Sequence, residues 1–285
     1  MRRPSIGPRA AHEPPPTVDY DLWTGPARLL PLERENLHYD WHWSWEYGNG
    51  GLGNNGVHRV DLARWGLGLE GLGDTVFSYG GRFGYQDAGE TPNTQIVTHE
   101  FGDVTVIQEL RGLATGSYLG SRNGVIFFGS EGRLVMQNGA ATLYDPEGGV
   151  VRVFERIPEE ESHAANFIRA IRAGDAGVLS GGLGEGIRSA GLCHVGSVGH
   201  RVGRRVSDDE LRTALERTPK PDEAVLTLER TRAHLRGEGV RDRFALSPLL
   251  TLDSERERVA NHPEADALLG RTYREPFVLP TEAGV

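Results

Sequence analysis

The stretch from about residue 76 to residue 153 limits the fold most tightly, because short strand-like runs follow one another with only turns between them. The clearest runs are 95–101, 104–110, 125–128, 133–136 and 150–154. Turn sequences rich in Gly, Asp and Pro separate them, as in Phe101-Gly102-Asp103. Connections this short join hairpins, so the pattern predicts an antiparallel sheet.

Helical patterns dominate the chain after this region. Ser162 can cap a helix with Phe167, Ile168 and Ile171 in its apolar stripe, and Gly174 can end it. Further helices are predicted at about 183–202, 208–217 and 223–236. Strands followed by helices predict an α+β fold, an open and mainly antiparallel sheet with helices packed on one face.

The 285 residues suffice for one large domain with a sizeable core. Residues 1–18 are basic and then Pro-rich without periodicity, which predicts an extended lead-in. We therefore expect a single α+β domain over 19–285, with an irregular, helix-containing tail from about residue 206.

Composition excludes several classes of partner and site. The formal net charge of −9 disfavours nucleic acid and anionic membranes, which both attract basic proteins. Cys193 is the single cysteine, so neither an intramolecular disulfide nor a cysteine-based metal centre is expected. No apolar run reaches the roughly 18 residues of a membrane span. Arg2-Arg3 lacks the apolar region of a signal peptide, so a cytoplasmic location is expected.

The stretch from residue 38 to residue 61 holds the candidate chemistry. Residues 38–47 alternate between an aromatic phase (Tyr39, Trp41, Trp43, Trp45, Tyr47) and a polar phase (His38, Asp40, His42, Ser44, Glu46). A period of two predicts a strand with one aromatic and one ionisable face. Glycines 48–53 would break this strand, and Asn54 would cap a helix through about Trp65.

Two tempting sites in this stretch are not supported. Gly48-x-Gly50-x-x-Gly53 fits the dinucleotide fingerprint, but the preceding strand is not continuously apolar and no later βαβ pattern follows. His38, His42 and Glu46 are spaced by four and would align on a helix, yet a strand separates neighbours by about 13 Å. We predict neither a cofactor site nor a metal site here.

Residues 38–68 resemble the start of the C-terminal domain in the Gfo/Idh/MocA oxidoreductase family, which carries a pattern close to G-G-x-x-D-x-G-x-H-x-x-D. Gly50, Gly51, Gly56, His58 and Asp61 match this pattern, whereas Asn54 stands where the family has Asp. Further similar segments lie at 4–7, 19–27, 80–94, 166–174 and in ALLGRTYREPFVLP near the end. The resemblance extends from about residue 4 to residue 281.

The resemblance implies that the chain corresponds to the second domain of the family, which has an open antiparallel sheet with helices on one face. The first domain of the family is a Rossmann unit that binds NAD or NADP and supplies a Lys in an E-K-P motif. Neither is present here, and Lys220 is the only lysine. The cofactor half is therefore expected to be absent from this chain, and a Rossmann-containing partner is one possible source of it.

The resemblance also implies site residues. His58 takes the family's catalytic position, where a side chain with a pKa near neutrality suits removal of a hydroxyl proton. Asn54, four residues earlier, can bind a sugar hydroxyl but cannot take up its proton. Asp61 can orient His58 or stabilise the helix. Further candidates for contacts with substrate hydroxyls or sugar faces are His42, Trp45, Glu46, Tyr47, Arg82 and Asn93. The tryptophans can instead be ordinary core residues.

Three functions remain open from the sequence. The chain can be the substrate-binding and catalytic domain of an NAD(P)-dependent oxidoreductase acting on a sugar or cyclitol. It can be a redox-neutral, NAD-dependent glycoside-cleaving relative. It can also be a non-catalytic carbohydrate-binding or assembly module. An open sheet face would leave apolar surface exposed, which predicts homo-oligomers through that face.

Overall fold

The computed structural model describes residues 3–156, 158 and 161–278. Residues 1–2 of the predicted lead-in and residues 279–285 of the predicted tail lie outside it. Its α-helices are α1 (Tyr20–Thr24), α2 (Leu37–Asp40), α3 (Val57–Leu67), α4 (His163–Ala173), α5 (Leu183–Val202), α6 (Asp208–Leu215), α7 (Pro221–Gly237) and α8 (Pro263–Ala267). Its strands are β1 (Thr75–Gly81), β2 (Thr94–Phe101), β3 (Val104–Arg111), β4 (Val125–Gly129), β5 (Gly132–Gln137), β6 (Ala140–Tyr144), β7 (Val150–Phe154), β8 (Arg204–Arg205), β9 (Ala245–Leu246), β10 (Leu250–Asp253) and β11 (Arg258–Val259).

The predicted α+β class with antiparallel strands is confirmed. Each strand-like run of the sequence forms a strand. The local signals for α4 also hold, since the Ser162 hydroxyl accepts a hydrogen bond from the Ala165 N–H and Gly174 ends the helix in the left-handed conformation, φ 62°. Strand β6 is not among the clearest runs of the sequence, and the strands of the predicted antiparallel sheet are divided between two separate sheets.

The chain forms two compact units. The larger unit comprises Met1–Gly56, Leu72–Thr115 and Cys193–Val285, and the smaller one comprises Val57–Gly71 and Gly116–Leu192. Helix α5 runs from the smaller unit into the larger one. No helix in the described part of the chain is long and apolar enough to cross a bilayer.

The larger unit is built on a sheet with the strand order β11-β10-β1-β2-β3, to which β9 adds beside β1 and β8 beside β9. One face packs on α6 and α7 through a core that includes Phe77, Tyr79, Ile96, Leu211, Leu215 and Leu228. The other face lies against the C-terminal half of α5. A Cβ atom on Gly196 of this helix would come within 2.7 Å of the Val97 side chain. Helices therefore cover both faces of this sheet.

The smaller unit is a four-stranded antiparallel sheet, in the order β4-β5-β6-β7, that packs against α3. Arg64 anchors α3 from within the unit. Its side chain is 3% exposed and donates to Glu185 Oε2 at 3.2 Å, to Ser189 Oγ at 2.9 Å and to the Leu69 carbonyl at 3.1 Å. The direction of α3, and with it the placement of its first turn, is fixed by this buried guanidinium.

Candidate functional site

Residues 38–47 do not form the predicted strand. Helix α2 is followed by a 3₁₀ turn, Trp41–Trp43, and then by further turns. Trp43 packs inward beneath the Arg82 guanidinium, whose Cζ atom lies 5.6 Å from the centre of the Trp43 ring, whereas Trp41 is 39% exposed. Two tryptophans from the same phase of the alternation therefore differ in burial, unlike side chains on one face of a strand. The compact path requires glycine at position 48, since a Cβ there would come within 2.4 Å of the His42 Cα atom.

The 13 Å spacing expected between His38, His42 and Glu46 on a strand does not apply, because these residues lie in helical and turn structure. His42 is 5% exposed and lies among the rings of Tyr39, Trp41 and Trp43, with centroids between 4.2 and 5.7 Å away. Its Nδ1–H donates to the Tyr39 carbonyl, and burial lowers its pKa. No cluster of three or more potential metal ligands occurs among the described residues.

Trp45 and Glu46 lie side by side and are both partly buried. The Trp45 N–H donates to Glu90 Oε2 at 2.8 Å, and its ring lies 6.4 Å from the His200 ring. The Glu46 carboxylate accepts three hydrogen bonds from Arg28, at 2.7 to 3.0 Å. Burial alone would raise the pKa of Glu46, but these bonds lower it, so the group stays ionised.

Tyr47 faces a different neighbour. Its ring lies 5.5 Å from the Trp23 ring, and the Arg34 guanidinium lies 4.9 Å from Tyr47 and 5.1 Å from Trp23. Burial raises the pKa of the Tyr47 phenol, so it remains protonated. Arg34 is only 6% exposed and lines a cavity of about 50 Å³ together with Asp40, whose pKa burial raises. This grouping was not predicted from the sequence, because Arg34 belongs to none of the motifs identified there.

Arg82 and Asn93 make structural contacts within the larger unit. Arg82 pairs with the fully buried Asp87 carboxylate through Nε and Nη2, at 2.5 and 2.6 Å. The Asn93 side chain makes two hydrogen bonds to the Phe83 backbone. It accepts from the Phe83 N–H at 3.0 Å and donates to the Phe83 carbonyl at 2.8 Å. Both side chains hold the loop between β1 and β2.

Asn54 does not begin a helix. Helical geometry already starts at Gly50, and Asn54 lies within a π-helical turn, Leu52–Gly56, with its side chain exposed. The glycines before it serve close packing: Gly50 has φ 63°, and a Cβ there would approach Thr91 Oγ1 to 2.6 Å. They follow a 3₁₀ turn, whereas a dinucleotide fingerprint follows a parallel strand.

His58 lies in the first turn of α3, in the smaller unit, and is exposed. Asp61, one turn later, accepts a hydrogen bond from Ser189 Oγ at 2.5 Å. Asp61 thus helps to fix the helix that also holds Arg64, in line with a stabilising role. Of the predicted site residues, the larger unit holds Asn54 and the six substrate candidates, and the smaller unit holds His58.

A group of basic residues around Trp45 was not predicted from the sequence. The Arg201 guanidinium lies 5.6 Å from the Trp45 ring, and Arg271 donates to the carbonyls of Trp45, at 2.9 Å, and Glu46, at 2.5 Å. His200 shares this environment, and burial lowers its pKa to about 4. These residues are more than 150 positions from Trp45 in the chain, so only the fold could reveal them.

A family comparison decides the classification. The model of the oxidoreductase family's C-terminal alpha/beta domain, in the Gfo/Idh/MocA group, matches residues 9–234. The chain belongs to the Gfo/Idh/MocA oxidoreductase family. The resemblance inferred from the sequence is thereby confirmed. No curated protein matches the chain significantly.

Solved oxidoreductases resemble this Gfo/Idh/MocA domain only in part. One, from Agrobacterium radiobacter in complex with NAD+, L-tartaric acid and magnesium, is 14% identical with a TM-score of 0.36, over 50% of this chain and 44% of that one. Another, the WlbA dehydrogenase from Bordetella pertussis with NADH and UDP-GlcNAcA, is 16% identical with a TM-score of 0.34, over 53% and 43%. The chain thus spans less than half the length of either protein.

Proposed function

We propose that this chain is the substrate-binding and catalytic C-terminal domain of an NAD(P)-dependent oxidoreductase acting on a sugar or cyclitol. The observation that carries the proposal is the family match over residues 9–234. The chain also keeps His58 at the position where the family pattern has its histidine. We further propose a cytoplasmic location, as expected from the sequence.

The residues present do not fit a dinucleotide site. The described sheets pair only in antiparallel fashion, and the G-x-G-x-x-G glycines lie at the start of a helical segment. On the proposal, NAD(P) is held outside these residues, by a nucleotide-binding unit in the same protein or in a partner, and we assign this chain no contact with it.

The step proposed for this chain is removal of the hydroxyl proton, while the carbon of the same alcohol gives up a hydride to NAD(P)+ and becomes a ketone. His58 accepts this proton on a ring nitrogen, and its exposure leaves that nitrogen accessible. The first turn of α3 is a defined support, since Arg64 and Asp61 fix the helix through Ser189. Asn54 is proposed to hydrogen-bond a substrate hydroxyl, because its amide both donates and accepts.

The remaining candidate substrate-binding residues fall into two groups according to what their side chains contact. Trp45 offers a partly exposed ring for the apolar face of a sugar, and Glu46 offers an ionised carboxylate for hydroxyls. We propose that His42, Tyr47, Arg82 and Asn93 act mainly by holding the segments that carry these groups. Their buried contacts to Tyr39, Trp23, Asp87 and Phe83 support this division of roles.

We also propose that the chain self-associates through the smaller sheet. Side chains of this sheet leave apolar surface exposed: Phe128 (61%), Val150 (61%), Val151 (59%) and Val153 (55%). Val151 and Val153 lie two positions apart on β7 and share one face of the sheet, and exposed apolar surface marks many interfaces. Light scattering after gel filtration tests this, and a monomer at micromolar concentration would contradict it.

The function is tested with the native protein, purified from its own cells by a tag on the chromosomal gene. Reduction of NAD+ and NADP+ is followed with a panel of sugars and cyclitols. His58→Ala should lower kcat by about 100- to 10,000-fold, the usual effect of losing a general base. His38→Ala is the matched control, because His38 is exposed and lies outside the family pattern.

Equal activity of the two variants would refute the role of His58. Glycoside consumption without net nicotinamide reduction would favour the redox-neutral alternative. Sugar binding without any turnover would favour the non-catalytic one.

A further inference from the structure

Two arginines converge on Trp45 without a carboxylate of their own. The Arg201 guanidinium lies 5.6 Å from the indole ring, and Arg271 reaches the backbone carbonyls of residues 45 and 46. Within the described residues, neither side chain forms an ion pair. Both are exposed at the surface of the larger unit.

The carboxylates nearest to this pair are already bound to other cations. Glu46 accepts three hydrogen bonds from Arg28. Glu90 pairs with Arg9 at 2.8 Å and accepts from the Trp45 N–H at the same distance. Both carboxylates attract Arg201, and Glu46 also attracts Arg271, so they offset part of the positive charge without forming an ion pair with either arginine in the described part of the chain.

The two guanidinium groups repel each other. Partial burial, and next the charge of Arg271, lower the pKa of Arg201. Burial, and next the charge of Arg271, lower the pKa of His194, and burial lowers that of His200. Both imidazoles are therefore neutral at pH 7 and add no positive charge to the pair. A chain with a net charge of −9 thus keeps, among its described residues, two arginines without an ion pair beside an aromatic ring.

We propose that Arg201 and Arg271 form a subsite for an oxyanion substituent, a carboxylate or a phosphate, on a sugar whose ring lies against Trp45. Guanidinium groups bind both oxyanions through charge-assisted hydrogen bonds. The indole supplies the apolar surface beside them. The inference rests on the proposed function and narrows its substrate class to acidic sugars.

Isothermal titration calorimetry of the full chain tests the subsite with four probes: D-glucuronate, D-glucose 6-phosphate, D-glucose and inorganic phosphate. The two anionic sugars should bind at least about tenfold more tightly than D-glucose, the effect of one charge-assisted hydrogen bond. Their affinity should fall as salt is added. Comparison of the two anionic sugars separates a carboxylate from a phosphate preference.

Variants locate the effect. Arg201→Gln should weaken the anionic sugars by about tenfold or more and leave D-glucose within about twofold, whereas Arg201→Lys should keep part of the preference. Arg256→Gln is the control, because Arg256 is 81% exposed and pairs with Asp253 elsewhere. Melting curves of the three variants establish that each is folded.

Equal affinity for charged and neutral sugars, or equal effects of Arg201→Gln and Arg256→Gln, would overturn the subsite while leaving the proposed function standing. Arg201-dependent binding of phosphate, with no sugar bound more tightly than phosphate, would keep an oxyanion site at Arg201 but contradict both the sugar ring against Trp45 and the proposed function.

Discussion

Removing the Asp87 carboxylate should destabilise the larger unit severely. This side chain is fully buried and accepts from Arg82 Nε and Nη2, from the N–H groups of Ile6 and Gly89, and from the Ser5 hydroxyl, at 2.5 to 3.1 Å. Burial favours protonation, yet the Arg82 and backbone bonds lower the pKa of Asp87. Loss of one partner of a buried pair costs about 3–5 kcal/mol.

Asp87→Ala should therefore lower Tm by roughly 6–20 °C, at roughly 2–4 °C per kcal/mol for a chain of this size. Urea titrations followed by tryptophan fluorescence and circular dichroism measure the free energy of unfolding directly. Asp253→Ala is the matched control, because its partner Arg256 is 81% exposed and such pairs contribute under about 1 kcal/mol. Arg82→Met, alone and combined with Asp87→Ala, gives the coupling energy of the pair.

Two results would refute this reasoning. One is a cost for Asp87→Ala within about 0.5 kcal/mol of that for Asp253→Ala, well below the range for a broken buried pair. The other is strict additivity of the Arg82 and Asp87 substitutions, which would mean that the two side chains do not stabilise the fold as a pair.

Three further predictions follow from packing, protonation and family membership. Gly196→Ala should cost about 1–3 kcal/mol, since its Cβ would press on Val97, whereas Gly186→Ala in the same helix meets open space and should be neutral or slightly stabilising in urea titrations. His200 has a pKa of about 4 when folded and near 6.5 when unfolded, so its stabilising effect is present above pH 6.5 and lost towards pH 4. Wild type should lose up to about 3 kcal/mol more than His200→Gln over that window, and parallel pH profiles would contradict this. An antibody against this domain should detect a native protein that is longer than this 31.2 kDa chain by roughly 100–150 residues. A band at 31.2 kDa would require a separate protein to supply the nucleotide-binding unit.

Much of the fold could be predicted because its signals are local. Turn residues mark the hairpins, and Ser162 and Gly174 mark the ends of α4 by direct hydrogen bonding and by a left-handed backbone. Strand β6 (Ala140–Tyr144) is not among the clearest runs because it opens with two alanines, which carry little strand preference. The division into two sheets could not be predicted, since it depends on which hairpins pair and not on the strands themselves.

The helical path of residues 37–43 shows why pattern alone was insufficient. Alternating tryptophans fit a strand, but here His42 and Trp43 are both buried. Gly48 lies against the His42 backbone and Arg82 lies over the Trp43 ring, and these contacts require a tighter turn. The position of His58 came from a family pattern, and its exposure was not readable from the sequence. Contacts that join distant segments, such as those of Arg271 with residues 45 and 46, leave no mark on either segment.

Hydride transfer to the nicotinamide tests the central claim most directly. A substrate found in the panel is deuterated at the carbon that is oxidised, and the native protein turns it over with NAD+ or NADP+. Mass spectrometry of the reduced nicotinamide should show one deuterium per product formed, with the rate reduced in parallel in His58→Ala. Product formation without deuterium in the nicotinamide, or an unchanged rate in His58→Ala, would contradict the account.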